Sequence, residues 1–93
     1  MKVNFSSRAS DAARSLQPKP ARQIAVKIAR LRIDPYPQDR KKLHGTDLLR
    51  VDSGEYRIIY GVGKDDQDGQ PVLNIEGIGK RNDDEVYRRF GRH

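Results

Sequence analysis

Apolar residues in the first half of the chain recur every three or four positions, which is the spacing of one face of an α-helix. Two such stretches are present, at residues 9–16 and 21–31. Ser6 or Ser7 is a favourable N-cap for the first stretch. Proline residues separate the two stretches and end the second near Ile33, because proline does not continue a helix. The sequence therefore predicts two consecutive amphipathic helices.

Alternation of apolar and polar residues, which is typical of β-strands, is found on both sides of the two helices. It predicts strands at residues 2–5, 48–52, 55–62 and 71–78. Ser53-Gly54 and the polar segment 65–69 are the turns between the last three strands. The segment that joins the helices to these strands, residues 34–47, is predicted to be a loop.

Three acidic residues near the C-terminus, Asp83, Asp84 and Glu85, suit the N-terminus of a helix because they complement its dipole. A chain of 93 residues is of a size that suits one domain. We therefore expect a single α+β domain over residues 1–93. In it, two N-terminal helices pack on one face of a small antiparallel sheet, and a short C-terminal helix follows.

Charge is unevenly distributed along the chain. The sequence has 19 Lys and Arg against 13 Asp and Glu, which gives a net charge of +6. Residues 1–47 carry eleven of the basic residues and four of the acidic ones, so the excess belongs to the first half. A small basic domain favours a polyanionic partner, above all nucleic acid, because phosphate binding releases counterions. A well-solvated helical surface is the alternative interpretation.

The composition also disfavours several kinds of site. The chain has no cysteine, which excludes a disulfide, a thiol nucleophile and a cysteine-based zinc site. The two histidines, His44 and His93, are far apart in the sequence, so we expect no metal and no cofactor. No apolar stretch approaches the roughly 20 residues that span a membrane. We expect a cytoplasmic protein with no membrane partner.

One candidate functional residue lies in the middle of a predicted strand. Alternation places Arg57 on the face of the sheet opposite to Tyr56, Ile58 and Tyr60. Because the helices cover one face only, Arg57 must reach solvent on the other face or pair with an acid. The candidate partners for such a pair are Glu55, Glu76 and Asp52.

A second candidate segment, Gly79-Lys80-Arg81-Asn82, brings two cations to the end of the last predicted strand. Tyr87 follows in the predicted C-terminal helix. Guanidinium groups bind phosphate through paired hydrogen bonds, and tyrosine rings stack on unpaired bases. The two segments together predict a surface lined by arginine and tyrosine that suits RNA.

The order and spacing of these motifs resemble the RelE/ParE toxin superfamily over essentially the whole chain. The segments that carry the resemblance are Ile33-Asp34-Pro35, Leu43-His44-Gly45, Leu49-Arg50-Val51, Gly54-Glu55-Tyr56-Arg57-Ile58-Ile59-Tyr60, Ile78-Gly79-Lys80-Arg81 and Glu85-Val86-Tyr87. The basic ending with a tyrosine is closer to RelE than to ParE. The resemblance implies a RelE-like mRNA interferase, the toxin of a type II toxin–antitoxin system, which cleaves translated mRNA in the ribosomal A site.

The resemblance also implies a mechanism that uses no metal. The ribose 2′-hydroxyl attacks the adjacent phosphate, the 5′-oxygen leaves, and a 2′,3′-cyclic phosphate forms. By position, Arg57 matches the arginine that binds the phosphate. Arg81 matches the one that stabilises charge and assists the leaving group, and Tyr87 matches the tyrosine that orients the nucleotide. Arg50 stands where RelE has a strand lysine.

The general base is an open question at this stage. RelE has a second lysine two residues after the first, whereas this chain has Asp52. Arg50 is a poor base because arginine stays protonated. Asp52 and Lys80 are both candidates, and a salt bridge between Asp52 and Arg50 or Arg57 is the structural alternative.

The resemblance also implies partners. We expect mRNA and ribosomal RNA to contact the basic residues of the first half, namely Lys27, Arg30, Arg40, Lys41 and Lys42. We expect a cognate antitoxin that forms a heterodimer or heterotetramer with the chain. Two alternative functions remain: a ParE-like poison of DNA gyrase that cleaves no RNA, and a degenerate toxin that only binds its antitoxin.

Overall fold

The chain forms a five-stranded sheet with two helices packed on one face, in a computed structural model that describes residues 1–81. The sheet order is β1-β5-β4-β3-β2. The elements in chain order are β1 (Lys2–Phe5), α1 (Ser7–Arg14), α2 (Pro18–Ile33), β2 (Lys41–Lys42), β3 (Leu49–Ser53), β4 (Tyr56–Lys64) and β5 (Pro71–Lys80). The α+β class is confirmed, and so are the two helices and the strands at their approximate positions.

Both helices begin and end for the local reasons that the sequence indicates. The side-chain oxygen of Ser6 accepts a hydrogen bond from the backbone N–H of Ala9 at 3.0 Å, which makes Ser6 the N-cap of α1. Pro18 occupies the first turn of α2, where a missing N–H is tolerated. The N–H of Asp34 still bonds to the carbonyl of Arg30, and the chain then turns extended before Pro35.

The prediction of a purely antiparallel sheet is wrong, because β1 lies parallel to β5. The alternation in residues 2–5 indicates a strand but carries no information about its partner. Lys2 lies opposite Val72, and its ammonium group forms ion pairs with Asp65 (2.9 Å) and Asp68 (3.3 Å) in the loop before β5. The register continues from Lys2 opposite Val72 to Phe5 opposite Ile75, so the two strands run in the same direction and the sheet is mixed.

The prediction of an uninterrupted loop over residues 34–47 is also wrong. Lys41 and Lys42 form the short strand β2, which pairs antiparallel with β3 through Arg50 and Leu49. Two residues are too few to give an alternating pattern. Lysine at a short edge strand is a common way to prevent further strand pairing, which is the structural interpretation of this basic pair.

The main core lies between the helices and the sheet. α1 packs on β5, and α2 packs on β3 and β4. Buried residues of this core include Ile24, Leu31, Ile58 and Ile75. A second, smaller cluster lies on the opposite face, where Ile59 packs against Leu43 and Leu48. Ile58 and Tyr60 of β4 thus face the helices and Ile59 faces the other side, which confirms the predicted alternation.

The predicted C-terminal helix, with Tyr87, lies outside the described residues. A single domain over residues 1–93 therefore stays a prediction. Within residues 1–81, neither helix has the length and apolar character needed to cross a membrane.

Tyr60 connects the sheet to the end of α2. Its side chain is fully buried, and its hydroxyl donates a hydrogen bond to the carbonyl of Pro35 at 2.7 Å. Burial raises the pKa of Tyr60 to about 12, because a buried phenolate loses its hydration. The neutral phenol is therefore the form that the folded state stabilises.

We predict that Tyr60→Phe lowers the free energy of unfolding by about 1 kcal/mol at pH 7, since one buried hydrogen bond is lost. Unfolded tyrosine ionises near pH 10. The contribution of the neutral phenol to stability is complete below that pH and is lost as the pH rises towards 12. Between pH 9 and pH 12, the free energy of unfolding should therefore fall by about 2 kcal/mol more in the wild-type protein than in the variant.

Urea unfolding at a series of pH values measures both effects. Tyr36→Phe is the matched control, because the Tyr36 side chain is exposed and its loss of a hydroxyl should leave stability unchanged. If the stability of the wild-type and Tyr60→Phe proteins changed with pH in the same way, the raised pKa of Tyr60 would be contradicted.

Candidate anion-binding site

Arg57 lies on the face of the sheet opposite to the helices, which we call the open face. Asp52 is its direct cross-strand neighbour on β3. The Nε of Arg57 donates to Oδ1 of Asp52 at 2.7 Å, so of the three candidate acids Asp52 is the one that pairs with Arg57 here. Neighbours that face each other on adjacent strands lie close enough for such a contact.

Arg81 joins the same carboxylate from the other side. Its Nε lies 3.5 Å from Oδ2 of Asp52. Its backbone N–H donates to the carbonyl of Glu55 at 2.8 Å, which fixes the end of β5 beside the start of β4. Asp52 therefore bridges two arginines that are 24 positions apart in the sequence.

A β-bulge decides which face of the sheet Arg81 occupies. Ile59 lies opposite Gly77, whereas Tyr60 lies opposite Ile75, so Glu76 is an extra residue in β5. The extra residue shifts the alternation by one position. Residues 73, 75 and 78 consequently all face the helices. Without the bulge, Arg81 would fall on the helix-covered face, away from Arg57.

Ser6 holds this bulge in place. Its hydroxyl donates a hydrogen bond to the carbonyl of Glu76 at 2.8 Å, and its backbone N–H donates to the carbonyl of Ile75 at 2.9 Å. The same hydroxyl oxygen caps α1 through Ala9. One serine thus links the start of α1 to the irregularity that sets the position of Arg81.

A pocket lies beside the two arginines. Its volume is about 430 Å³, and it is lined by Glu55, Arg57, Lys80 and Arg81. The Arg57 side chain is 19% exposed and that of Arg81 is 53% exposed, so both guanidinium groups are accessible from the pocket. Three cations around one open pocket suit an anion, and guanidinium groups suit the tetrahedral oxygens of phosphate in particular.

Two further candidate residues lie close to Arg57 and Arg81: Arg50 on β3, and Lys80, which lines the pocket. Arg50 and Asp52 are two residues apart on β3, so both side chains project from the open face, about 7 Å apart along the strand. On the edge strand, Lys41 lies opposite Arg50. Lys80 is exposed at the end of β5, opposite Tyr56. Tyr87 lies outside the described residues.

The predicted RNA-contacting residues fall into two groups. Lys27 and Arg30 project from α2 and line a second groove of about 430 Å³, which Ser53 and Gly54 also line. Arg40, Lys41 and Lys42 lie at the edge of the sheet. The two groups are connected by Lys27, whose Nζ donates a hydrogen bond to Oδ2 of Asp39 at 3.0 Å. This contact lowers the pKa of Asp39.

Sequence reasoning missed the surroundings of Arg40. The guanidinium of Arg40 lies over the ring of Tyr36, 5.7 Å from its centre, and also donates to the carbonyls of Tyr36 and Pro37. The spacing of four residues between Tyr36 and Arg40 in a proline-rich segment was the available signal. The bulge also left a signal, since the apolar spacing in β5 changes from two to three between Ile75 and Ile78.

Comparisons with known proteins identify the fold. No protein-family model and no curated protein matches the sequence significantly. Solved structures do match. The isolated RelE toxin of E. coli is 25% identical, with 96% of this chain and 93% of that chain covered and a TM-score of 0.70. RelE in the RelE–RelB complex of Pyrococcus horikoshii OT3 is 29% identical, with 87% and 94% covered and a TM-score of 0.67.

The chain has the fold of the RelE toxins. A YoeB/ParE toxin from Agrobacterium tumefaciens shares this fold at 15% identity, with 87% of this chain and 99% of that chain covered and a TM-score of 0.72. The likeness to RelE confirms the resemblance seen in the sequence and supports a toxin role. On this RelE-like fold, the cluster of Arg57, Arg81 and Asp52 occupies the open face of the sheet.

We predict that Ser6→Ala destabilises this RelE-like chain by about 1–2 kcal/mol, because it removes the cap of α1 and the hydrogen bond to the bulge. Ser7→Ala is the matched control, since Ser7 is exposed in the first turn of the same helix. Urea unfolding of the two variants measures the difference. Equal stability of the two would show that Ser6 does not hold the bulge.

Proposed function

We propose that the chain is the toxin of a toxin–antitoxin pair and an endoribonuclease that cleaves translated mRNA on the ribosome. The observation that carries this proposal is the convergence of Arg57 and Arg81 beside one open pocket, on a fold of the RelE type. Two guanidinium groups on one wall can bind a phosphodiester and stabilise the additional charge of its transition state.

In the proposed reaction the ribose 2′-hydroxyl attacks the adjacent phosphorus, and the 5′-oxygen leaves with a proton. A 2′,3′-cyclic phosphate is the product. Arg57 binds the phosphate from near the start of β4, where a flanking strand on each side limits its movement. Arg81 neutralises the charge that develops on the phosphate and the leaving oxygen. Tyr87 is proposed to stack on the reacting nucleotide.

The proton acceptor is proposed among the groups that surround these arginines. Both oxygens of Asp52 contact guanidinium nitrogens in this structure, so one of them must be released before it can accept the proton of the 2′-hydroxyl. Lys80 reaches the same pocket and has an exposed side chain. Arg50 extends the positive surface from β3 and supplies charge rather than a base.

The basic residues outside the pocket are proposed to bind ribosomal RNA. Lys41 and Lys42 are exposed on the edge strand, beside Arg40. Lys27 and Arg30 form a separate basic groove on α2. Charges of this kind contribute through phosphate contacts, so binding to ribosomes should weaken as salt concentration rises.

We also propose a cognate antitoxin as the protein partner, in a cytoplasmic heterodimer or heterotetramer. The support is the similarity to RelE as it is found in complexes with RelB. An acidic antitoxin segment that folds on binding would complement a toxin with a net charge of +6.

Primer extension on mRNA in a purified translation system tests the proposal. The wild-type protein should produce new 5′ ends within translated mRNA and none in the absence of ribosomes. Arg57→Ala and Arg81→Ala should each reduce the rate of cleavage by about a hundredfold, since each removes an electrostatic contact to the transition state. Arg14→Ala is the control with the same change in charge, on the exposed side of α1.

Circular dichroism and urea unfolding establish that the variants fold. Full cleavage by both Arg57→Ala and Arg81→Ala would contradict the assigned site. Intact mRNA together with inhibited supercoiling by DNA gyrase would instead support the ParE-like alternative. Antitoxin binding without either activity would identify a degenerate toxin.

A further inference from the structure

One acidic side chain lies between the cations of the candidate site. Asp52 contacts Arg57 with one carboxylate oxygen, at 2.7 Å, and Arg81 with the other, at 3.5 Å. A carboxylate and a phosphate are the two anions that guanidinium groups bind best. The structure therefore shows the arginines already occupied by an anion from the protein itself.

We propose that Asp52 is an internal competitor that sets the affinity of the Arg57–Arg81 site for phosphate. In the free protein its carboxylate binds both guanidinium groups, and an incoming phosphate group must displace it. This inference deepens the proposed function and rests on it for the identity of the natural ligand, a phosphodiester of RNA. The binding of phosphate itself is tested independently of any cleavage.

The geometry favours competition over a permanent structural pair. Asp52 and Arg57 are held opposite each other by strand register, so the backbone does not move when the carboxylate leaves. The Asp52 side chain is 39% exposed, which allows it to turn into water at modest cost.

Water at the open face can hydrate the displaced carboxylate, since its side chain is already 39% exposed. The phosphate then takes over both guanidinium contacts. Because each of the two anions excludes the other, removal of the aspartate charge should strengthen phosphate binding. A residue that only positioned the arginines would have the opposite effect.

Asp52→Asn separates these two possibilities. The amide oxygen can still accept the hydrogen bond from Arg57, whereas the negative charge is gone. Inorganic phosphate is the probe, and the Nε–Hε signals of Arg57 and Arg81 in ¹H–¹⁵N NMR spectra report its binding. We expect the Kd of Asp52→Asn for phosphate to fall about fivefold relative to wild type, in keeping with the strength of a partly exposed ion pair.

Asp65→Asn is the matched control. It makes the same change in net charge and also breaks an ion pair, with Lys2, but in the loop that follows the far end of β4. Its Kd for phosphate should stay within about twofold of wild type, since screening weakens the effect of a distant charge. Asp52→Ala should also bind phosphate more tightly and provides a second variant if the asparagine variant folds poorly.

Unchanged or weaker phosphate binding by the folded Asp52 variants would overturn the proposal. An equal gain in Asp65→Asn would also overturn it, because the effect would then come from net charge alone. Inorganic phosphate is not cleaved, so these outcomes are the same whether or not the chain cuts RNA. Tight phosphate binding without mRNA cleavage would therefore count against the proposed function alone.

Discussion

The ion pair between Asp52 and Arg57 is the contact on which the open face of this molecule depends. It joins two adjacent strands at directly opposed positions and is extended by Arg81 from the end of a third strand. Like charges that converge on one surface repel each other, and the carboxylate between them offsets that repulsion. The chain can thus hold two guanidinium groups beside one pocket.

The rest of the fold brings these groups together. Strand pairing sets Arg57 against Asp52, and the bulge at Glu76 turns Arg81 to the same face. Ser6 connects that bulge to the first helix, so the packing of the helices on one side of the sheet supports the arginine cluster on the other. The similarity to RelE toxins places this arrangement on a known toxin fold.

Hydrophobic periodicity was enough to predict the helices and the three antiparallel strands, because each has a continuous apolar face. It could not predict the parallel pairing of β1, because the partner strand β5 is distant in the sequence, or the two-residue strand at Lys41. Alternation correctly placed Arg57 on the open face, but it left three candidate acids as partners. The choice of Asp52 follows from strand register, which a single sequence specifies only through the turn at Gly54, where φ is +59°. The roles of Arg81, Lys80 and the other candidate residues stay predictions.

A double-mutant cycle on Asp52 and Arg57 tests the central contact most directly. The free energies of unfolding of Asp52→Ala, Arg57→Ala and the double variant are compared with that of wild type in urea. Arg57 makes further contacts, and the cycle isolates the energy of this one pair. We predict a favourable coupling of about 0.5–1 kcal/mol that decreases as salt concentration rises. Coupling that is zero within error at low salt would contradict the account.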